Sequence, residues 1–142
     1  ASRRMVTSLF NHHDLSEMGL YPCAWSMTFN VTGSTLNAVL NQRSQDMLTA
    51  SNWNVCQYAV LVHMMARSAG LEAGELVHVI ADCHIYDRHV PLVEELLRRE
   101  PRPAPRLAVD PAVTDFYAFT ADSFRLEGYE PWSFAEKIAV AL

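Results

Sequence analysis

The chain has 142 residues, 50% of them apolar and 19% charged, and a formal net charge of -5. This length suits one domain with a substantial core, and the composition excludes a disordered chain. The acidic balance argues against a nucleic-acid binder, so DNA binding is not expected, and no apolar run approaches the roughly 18 residues that a membrane-spanning helix needs.

A β-hairpin is the first strong pattern along the chain. A short strand over residues 5–9 precedes it. Residues 25–31 alternate between apolar and polar side chains, which predicts a strand with one apolar face, formed by Trp25, Met27, Phe29 and Val31. Residues 32–34 contain a glycine and predict a turn. The alternation resumes over residues 36–40, so Arg43 and Ser44 are expected where the second strand ends.

A helix and a strand follow the hairpin. Residues 54–69 are apolar nearly all round, which predicts a buried central helix that ends at Gly70. Residues 76–86 predict a strand with two unlike faces. The face expected in the core carries Val77, Val79, Ala81, Cys83 and Ile85. The other face becomes polar towards its C-terminal end, with His78, Asp82, His84 and Tyr86 at spacings that can converge on one ligand.

The last third of the chain predicts shorter elements. Pro91 can open a helix on which Glu94 and Glu95 precede Arg98 and Arg99 at i,i+4 spacing. Residues 101–105 are rich in proline and are expected to be extended. Residues 116–119 and 124–126 predict short strands, and residues 138–142 form an apolar tail. Together the elements predict an α+β fold.

The three cysteines, at positions 23, 56 and 83, have spacings that fit neither a disulfide framework nor a zinc site. No metal is therefore expected, and a reducing cytoplasm is the favoured location. A free cysteine is most often a small core residue. Cys23 is nevertheless the candidate nucleophile, because the hairpin returns Arg43 towards it and a thiol needs positive neighbours to ionise. Cys56 and Cys83 are expected to be structural.

Several short segments resemble the thymidylate synthase family in their order and spacing. They are Ser2-Arg3-Arg4, Pro22-Cys23, residues 42–46, Asn54 with Tyr58, Asp82 with residues 84–86, the proline-rich stretch, residues 127–129 and Ala139-Val140. The resemblance implies an α+β fold with a large mixed β-sheet packed with helices, in a homodimer with shared active sites. It also implies conversion of dUMP to dTMP, with 5,10-methylenetetrahydrofolate as carbon donor and reductant.

The resemblance assigns the reacting groups. Cys23 would add to C6 of the uracil, with Arg43 as its positive neighbour, and Arg43 with Ser44 would bind on the phosphate and thiol side. Asn54 would select uracil, since its amide complements uracil O4 and N3–H. Each assignment has a structural alternative: Cys23 is also readable as a buried inert cysteine, and Asn54 as a helix N-cap.

The remaining assignments concern the phosphate, the ribose and the folate. Arg3 and Arg4 would reach the phosphate site of the partner subunit, or would form a solvated basic turn. His84 and Tyr86 would bind the ribose 3'-hydroxyl, with Asp82 orienting its neighbours. Asp46 would contact the pterin ring, or would stabilise a helix start. A closing tail over the folate would include Val140 and Leu142.

The sequence departs from the common family pattern at Ala24, where a histidine is usual, and over residues 48–54. The chain begins with an arginine pair and no initiator Met, so residues 1–142 are expected to be the C-terminal portion of a thymidylate synthase-like catalytic domain. The family's N-terminal half, with its glutamate general base, has no counterpart here. Two alternatives stay open: a folate-dependent pyrimidine-nucleotide hydroxymethylase, and a catalytically incomplete remnant that dimerises or binds RNA.

Overall fold

The computed structural model describes residues 2–134 and 137–139. The chain divides into two compact units, Ala1–His84 and Ile85–Leu142. The first contains strands β1 (Val6–Ser8), β2 (Ala24–Thr32), β3 (Thr35–Asp46) and β4 (Glu72–His84) and the helix α1 (Ser51–Ser68). The second contains the helix α2 (Val90–Leu97) and strands β5 (Arg106–Val109) and β6 (Phe124–Glu127).

The first unit is a mixed four-stranded sheet in the order β1-β2-β3-β4. β1 and β2, and β2 and β3, pair antiparallel, whereas β3 and β4 pair parallel. The predicted hairpin is confirmed, with Gly33 at a φ of 62° in its turn, a backbone conformation that glycine adopts without strain. A parallel pair needs a crossover connection, and α1 supplies it between β3 and β4. The predicted α+β class is confirmed.

The core lies between one face of this sheet and one stripe of α1. Met27 and Leu40 pair across β2 and β3 and are fully buried. The helix contributes Tyr58, Val62 and Ala66, which recur every fourth residue and so share one face. The prediction that α1 is a buried central helix was wrong. Its buried residues form this single stripe, and it begins at Ser51, three residues before the predicted start.

The two faces of β4 are the reverse of the prediction. Val77 and Val79 are 49% and 48% exposed, whereas Leu76 packs against the core. The cause is the position of α1, which packs on the sheet face that carries the buried Leu40, and Leu40 pairs with His78 of β4. The alternation of β4 was read correctly, but the half-polar face lies on the core side.

Two further boundaries differ from the sequence prediction. Trp25 is 40% exposed and not part of the apolar face, because the β2–β3 register shifts between Ala24 and Ser26 and turns Trp25 to the other side. β3 continues to Asp46, beyond the predicted end near Arg43. This extension matters for the site, because it holds residues 42–46 on one strand.

The second unit contains α2 and the antiparallel pair β5–β6. The i,i+4 ion pairs Arg98–Glu94 and Arg99–Glu95 are confirmed. The strand predicted over residues 116–119 was wrong: Phe116–Ala118 is a 3₁₀ turn that the Asp115 side chain caps. Within the described residues, no helix has both the length and the apolarity to cross a membrane.

Candidate active site

Arg43 holds the segment that carries Cys23. Its Nε donates to the carbonyl of Pro22 at 3.1 Å, and its Nη2 donates to the carbonyl of Tyr21 at 2.8 Å. The same Nη2 lies 4.0 Å from Cys23 Sγ, and the Arg43 backbone N–H donates to the Cys23 carbonyl at 2.8 Å. The predicted proximity of thiol and guanidinium is therefore present. The half-buried Cys23 lies immediately before β2, next to the bulge at Ala24.

An open groove of about 390 Å³ adjoins Arg43. Its lining includes Ser8, Phe10, His12 and Trp25. The Phe10 ring makes edge-to-face contact with Trp25, with ring centroids 6.4 Å apart. The sequence did not predict that Phe10 and Trp25 lie near Arg43, because the bulge that turns Trp25 outward has no clear sequence signature.

Asp46 organises the turn that leads into α1. Its Oδ1 accepts from the backbone N–H groups of Leu48 and Thr49 at 3.0 and 3.2 Å, and its Oδ2 accepts from the Thr49 hydroxyl. These contacts lie in the turn before α1, which begins at Ser51, so Asp46 is not at the helix start. Ser44 is half-buried one strand position from Arg43 and pairs with Asp82 of β4.

Asn54 lies in the first turn of α1, as its fourth residue. It is not the N-cap, which is Ala50, so the capping alternative was wrong. Its Nδ2 donates to Gln45 Oε1 at 3.4 Å, which joins it to a group of buried side chains on β3. The side chain is half-buried, so it presents an amide at the edge of the core.

His84 ends β4, and Tyr86 lies beyond it. His84 Nδ1 is 3.5 Å from Asp82 Oδ1, which supports the expectation that Asp82 orients its neighbour. The backbone N–H of Met47 donates to the His84 carbonyl at 3.0 Å. In the β3–β4 register, His84 pairs with Asp46. Tyr86 was predicted on the same strand, but it belongs to the second unit, where its ring contacts His89.

The other predicted residues are more peripheral. Arg3 and Arg4 are exposed on the segment that precedes β1. The positions assigned to the folate-closing tail, Val140 and Leu142, lie outside the described residues. In residues 2–134 and 137–139, no group of three or more His, Cys, Asp or Glu side chains is arranged to hold a metal ion.

The burial expected for Cys56 and Cys83 was wrong. Both thiols are exposed, whereas Cys23 is half-buried. The reason is the same as for β4 and α1: Cys83 is on the strand face turned away from α1, and Cys56 is outside the buried stripe of the helix.

Sequence reasoning missed two arrangements. Gln42 and Gln45 are 2% and 1% exposed and connect His78 to Asn54 through hydrogen bonds. Gln42 continues the alternation of buried residues that Leu36, Ala38 and Leu40 begin. Because a buried amide needs hydrogen-bond partners, a glutamine at this position could have indicated a buried hydrogen-bond partner. In the second unit, the imidazole of the buried His89 lies 2.9 Å from the Ala139 carbonyl, a contact without a sequence signature.

These features, taken with the comparisons, define the class of protein. The family model for thymidylate synthase matches residues 1–141, and the chain belongs to the thymidylate synthase family. Among solved structures, the chain is similar to the thermostable thymidylate synthase A from Bacillus subtilis, with 37% sequence identity and a TM-score of 0.89. The match covers 100% of this chain and 50% of that one, so the chain spans about half the length of this relative.

Proposed function

We propose that the protein carrying this chain is a thymidylate synthase, which methylates dUMP to dTMP by a covalent mechanism. The observation that carries the proposal is the pairing of Cys23 with Arg43 in a member of this family, with Sγ and Nη2 4.0 Å apart. A guanidinium stays charged at any physiological pH, so it can stabilise the thiolate as it forms.

The Cys23 thiolate adds to C6 of the uracil, and the electron pair of the C5–C6 bond moves into an enolate at C4–C5. C5 then attacks the one-carbon unit. The co-substrate 5,10-methylenetetrahydrofolate supplies this carbon and the hydride that completes the methyl group. Loss of the C5 proton expels the folate amine and leaves an exocyclic methylene at C5. Hydride transfer from the tetrahydrofolate to this methylene then expels the Cys23 thiolate, which releases dTMP and leaves dihydrofolate. Arg43 also fixes the carbonyls of Pro22 and Tyr21, so it positions the thiol as well as balancing its charge.

The substrate contacts follow the same residues. Asn54 pairs with the uracil edge, donating to O4 and accepting from N3–H. Ser44 binds beside Arg43 on the phosphate and thiol side. His84, which Asp82 orients, contacts the ribose 3'-hydroxyl together with Tyr86. This assignment is supported by the half-buried amide of Asn54 and by the 3.5 Å contact between His84 and Asp82.

For the folate, Asp46 is the proposed pterin contact, with Val140 and Leu142 in the closing tail. The described contacts of the Asp46 carboxylate hold the turn before α1. A carboxylate that is held by two backbone N–H groups is fixed in direction, which suits an acceptor for the donor edge of a pterin ring. The tail would exclude water, so that the methylene intermediate meets hydride.

A homodimer with shared active sites is the proposed assembly. Val6, Thr28, Val39 and Val77 lie in register across all four strands, on the sheet face turned away from α1. Val6 and Val77 are 58% and 49% exposed. This row of mostly apolar side chains is suited to packing against the same face of a second copy. Arg3 and Arg4, which precede β1, would then reach the partner's phosphate site.

The covalent step can be tested with 5-fluoro-dUMP and methylenetetrahydrofolate. Fluorine at C5 cannot leave as a proton, so the intermediate stalls as an adduct. Peptide mass spectrometry should place it on Cys23, and Cys23→Ser should abolish it. Cys56 is the internal control for a non-specific electrophile, because its thiol is exposed and lies on α1, away from the proposed dimer face. An adduct on Cys56 or Cys83 would overturn the assignment.

Product analysis with dUMP and methylenetetrahydrofolate tests the reaction itself. dTMP is the expected product. Hydroxymethyl-dUMP would show that water, not hydride, completes the reaction. If the full-length protein formed no product, it would be catalytically incomplete.

The shared site is tested by mixing Arg4→Ala with Cys23→Ser. Each heterodimer then holds one site with an intact Cys23 and an intact partner arginine, so activity should return. No recovery, with heterodimers demonstrably formed, would contradict a shared site.

A further inference from the structure

We propose that Gln45 is a positioning residue for base selection: it fixes the direction of the Asn54 amide and thereby excludes cytosine. The inference rests on the proposed function, in which Asn54 faces the pyrimidine. It assigns the choice of base to a buried set of side chains, Gln42, Gln45 and His78, behind Asn54. These three side chains and Asn54 are called the amide chain below.

A backbone carbonyl fixes the direction of Gln45. Its side chain is 1% exposed, and its Nε2 donates to the Asp46 carbonyl at 3.2 Å. A carbonyl can only accept, so the nitrogen end of the Gln45 amide must face it. The Gln45 Oε1 therefore points to the other side, where Asn54 lies.

Gln42 is fixed in the same way. Its Nε2 donates to the Ser44 carbonyl at 2.8 Å and also donates to Gln45 Oε1. Its Oε1 consequently faces His78, whose Nε2 lies at 2.8 Å, so this imidazole nitrogen must carry a hydrogen. Burial lowers the pKa of His78, which favours the neutral imidazole, and the contact with Gln42 Oε1 places its one ring hydrogen on Nε2. The amides of Gln42 and Gln45 thus each have an assigned direction.

The amide chain determines what Asn54 can offer a base. Since Gln45 Oε1 is an acceptor, Asn54 must turn its Nδ2 towards it, as the 3.4 Å contact shows. One N–H of Asn54 is engaged there, and the other N–H and Oδ1 form a donor–acceptor edge. Uracil presents an acceptor at O4 and a donor at N3, whereas cytosine presents a donor at N4 and an acceptor at N3. An amide free to turn over would match both bases, but a tethered amide matches one.

The test is Gln45→Met in the full-length protein, which keeps the side-chain length and removes the acceptor. Equilibrium binding of dUMP and dCMP should show a preference for dUMP that is lower by roughly tenfold, because Asn54 loses the partner that sets its direction. The matched control is Asn41→Leu on the same strand, which removes a side-chain hydrogen bond of 3.0 Å to Ser26 outside the amide chain. A merely structural effect would weaken both nucleotides equally and leave their ratio unchanged.

An unchanged ratio in Gln45→Met, while the unaltered protein binds dUMP, would overturn this inference alone. If the unaltered protein binds no dUMP, the proposed function fails and this inference with it. A variant that does not fold is replaced by two other measurements. His78→Phe, at the far end of the amide chain, should leave the ratio unchanged, because backbone carbonyls and not His78 fix the two glutamines, and a changed ratio would contradict the assigned directions. Histidine ¹⁵N spectra of the unaltered protein should show His78 with its hydrogen on Nε2, and a hydrogen on Nδ1 would contradict the assigned directions.

Discussion

Replacing Arg43 by lysine should separate the charge of this residue from its geometry. Lysine keeps the positive charge but has a single nitrogen in place of the planar fork, so we expect it to keep only one of the two carbonyl contacts, which Arg43 makes through two different nitrogens. Those contacts, to Pro22 at 3.1 Å and Tyr21 at 2.8 Å, hold the loop that carries Cys23. The substitution therefore loosens the nucleophile without removing its positive neighbour.

The magnitude follows from the hydrogen bonds. A bond from a charged donor contributes about 1.5–3 kcal/mol. Arg43 is half-buried, so the lower end applies to each bond. Arg43→Lys should then lower the free energy of unfolding by about 1.5 kcal/mol, and Arg43→Met by about 3 kcal/mol. Arg67→Lys, in the last turn of α1, is the matched control and should stay within about 0.5 kcal/mol of the unaltered protein.

Urea denaturation of the full-length protein measures these differences, and the rate of 5-fluoro-dUMP adduct formation measures the effect on Cys23. Both variants should slow the adduct, with Arg43→Met the slower because it also loses the charge. The reasoning would be refuted if Arg43→Lys unfolded like the unaltered protein while Arg43→Met lost stability. In that case the charge alone, and not the two carbonyl contacts, would explain the role of Arg43.

Other predictions test separate parts of the structure. Asn54→Asp should lower dUMP turnover and raise dCMP use by roughly tenfold to a hundredfold, measured as a kcat/KM ratio, and an unchanged ratio would show that position 54 does not touch the base. Gly74→Ala should lower the free energy of unfolding in urea by about 1–3 kcal/mol, because a Cβ there would lie 3.0 Å or less from side-chain and backbone atoms of β3. Gly19→Ala is the control and should not lower it, because a Cβ there has nothing within 4 Å. His89→Phe should weaken folate binding more than dUMP binding. The substitution removes the contact to the carbonyl of Ala139, which directly precedes the proposed folate-closing tail, and equal weakening of both ligands would contradict this.

Alternation along the strands was sufficient to predict the hairpin and the existence of β4, because the two-residue period is a local property of the chain. It could not predict which face of β4 is buried. That choice depends on the side on which α1 packs, which is set by the crossover and not by the strand. Val77 and Val79 therefore looked like core residues, and His78 like a surface residue, until the helix was placed.

The site residues show the same division. The pairing of Cys23 with Arg43 was predictable, because a hairpin brings the start of one strand beside the end of the next. The amide chain was not, because each link depends on a side-chain direction that a neighbouring backbone carbonyl fixes. The exposure of Cys56 and Cys83 was also missed, since both follow from the placement of α1.

The length of β3 explains how one strand can link the proposed nucleophile to the proposed choice of base. The strand continues to Asp46 and stays in register with β4 as far as the pair Asp46–His84. Arg43 on this strand holds the Cys23 loop, and Gln45, two residues later, directs Asn54. A shift of the β3–β4 register would therefore disturb thiol and base recognition together. For this reason Gly74→Ala, at the far end of that pairing, should slow formation of the 5-fluoro-dUMP adduct as well as lower stability. A loss of stability with an unchanged adduct rate would show that the two ends of β3 are independent.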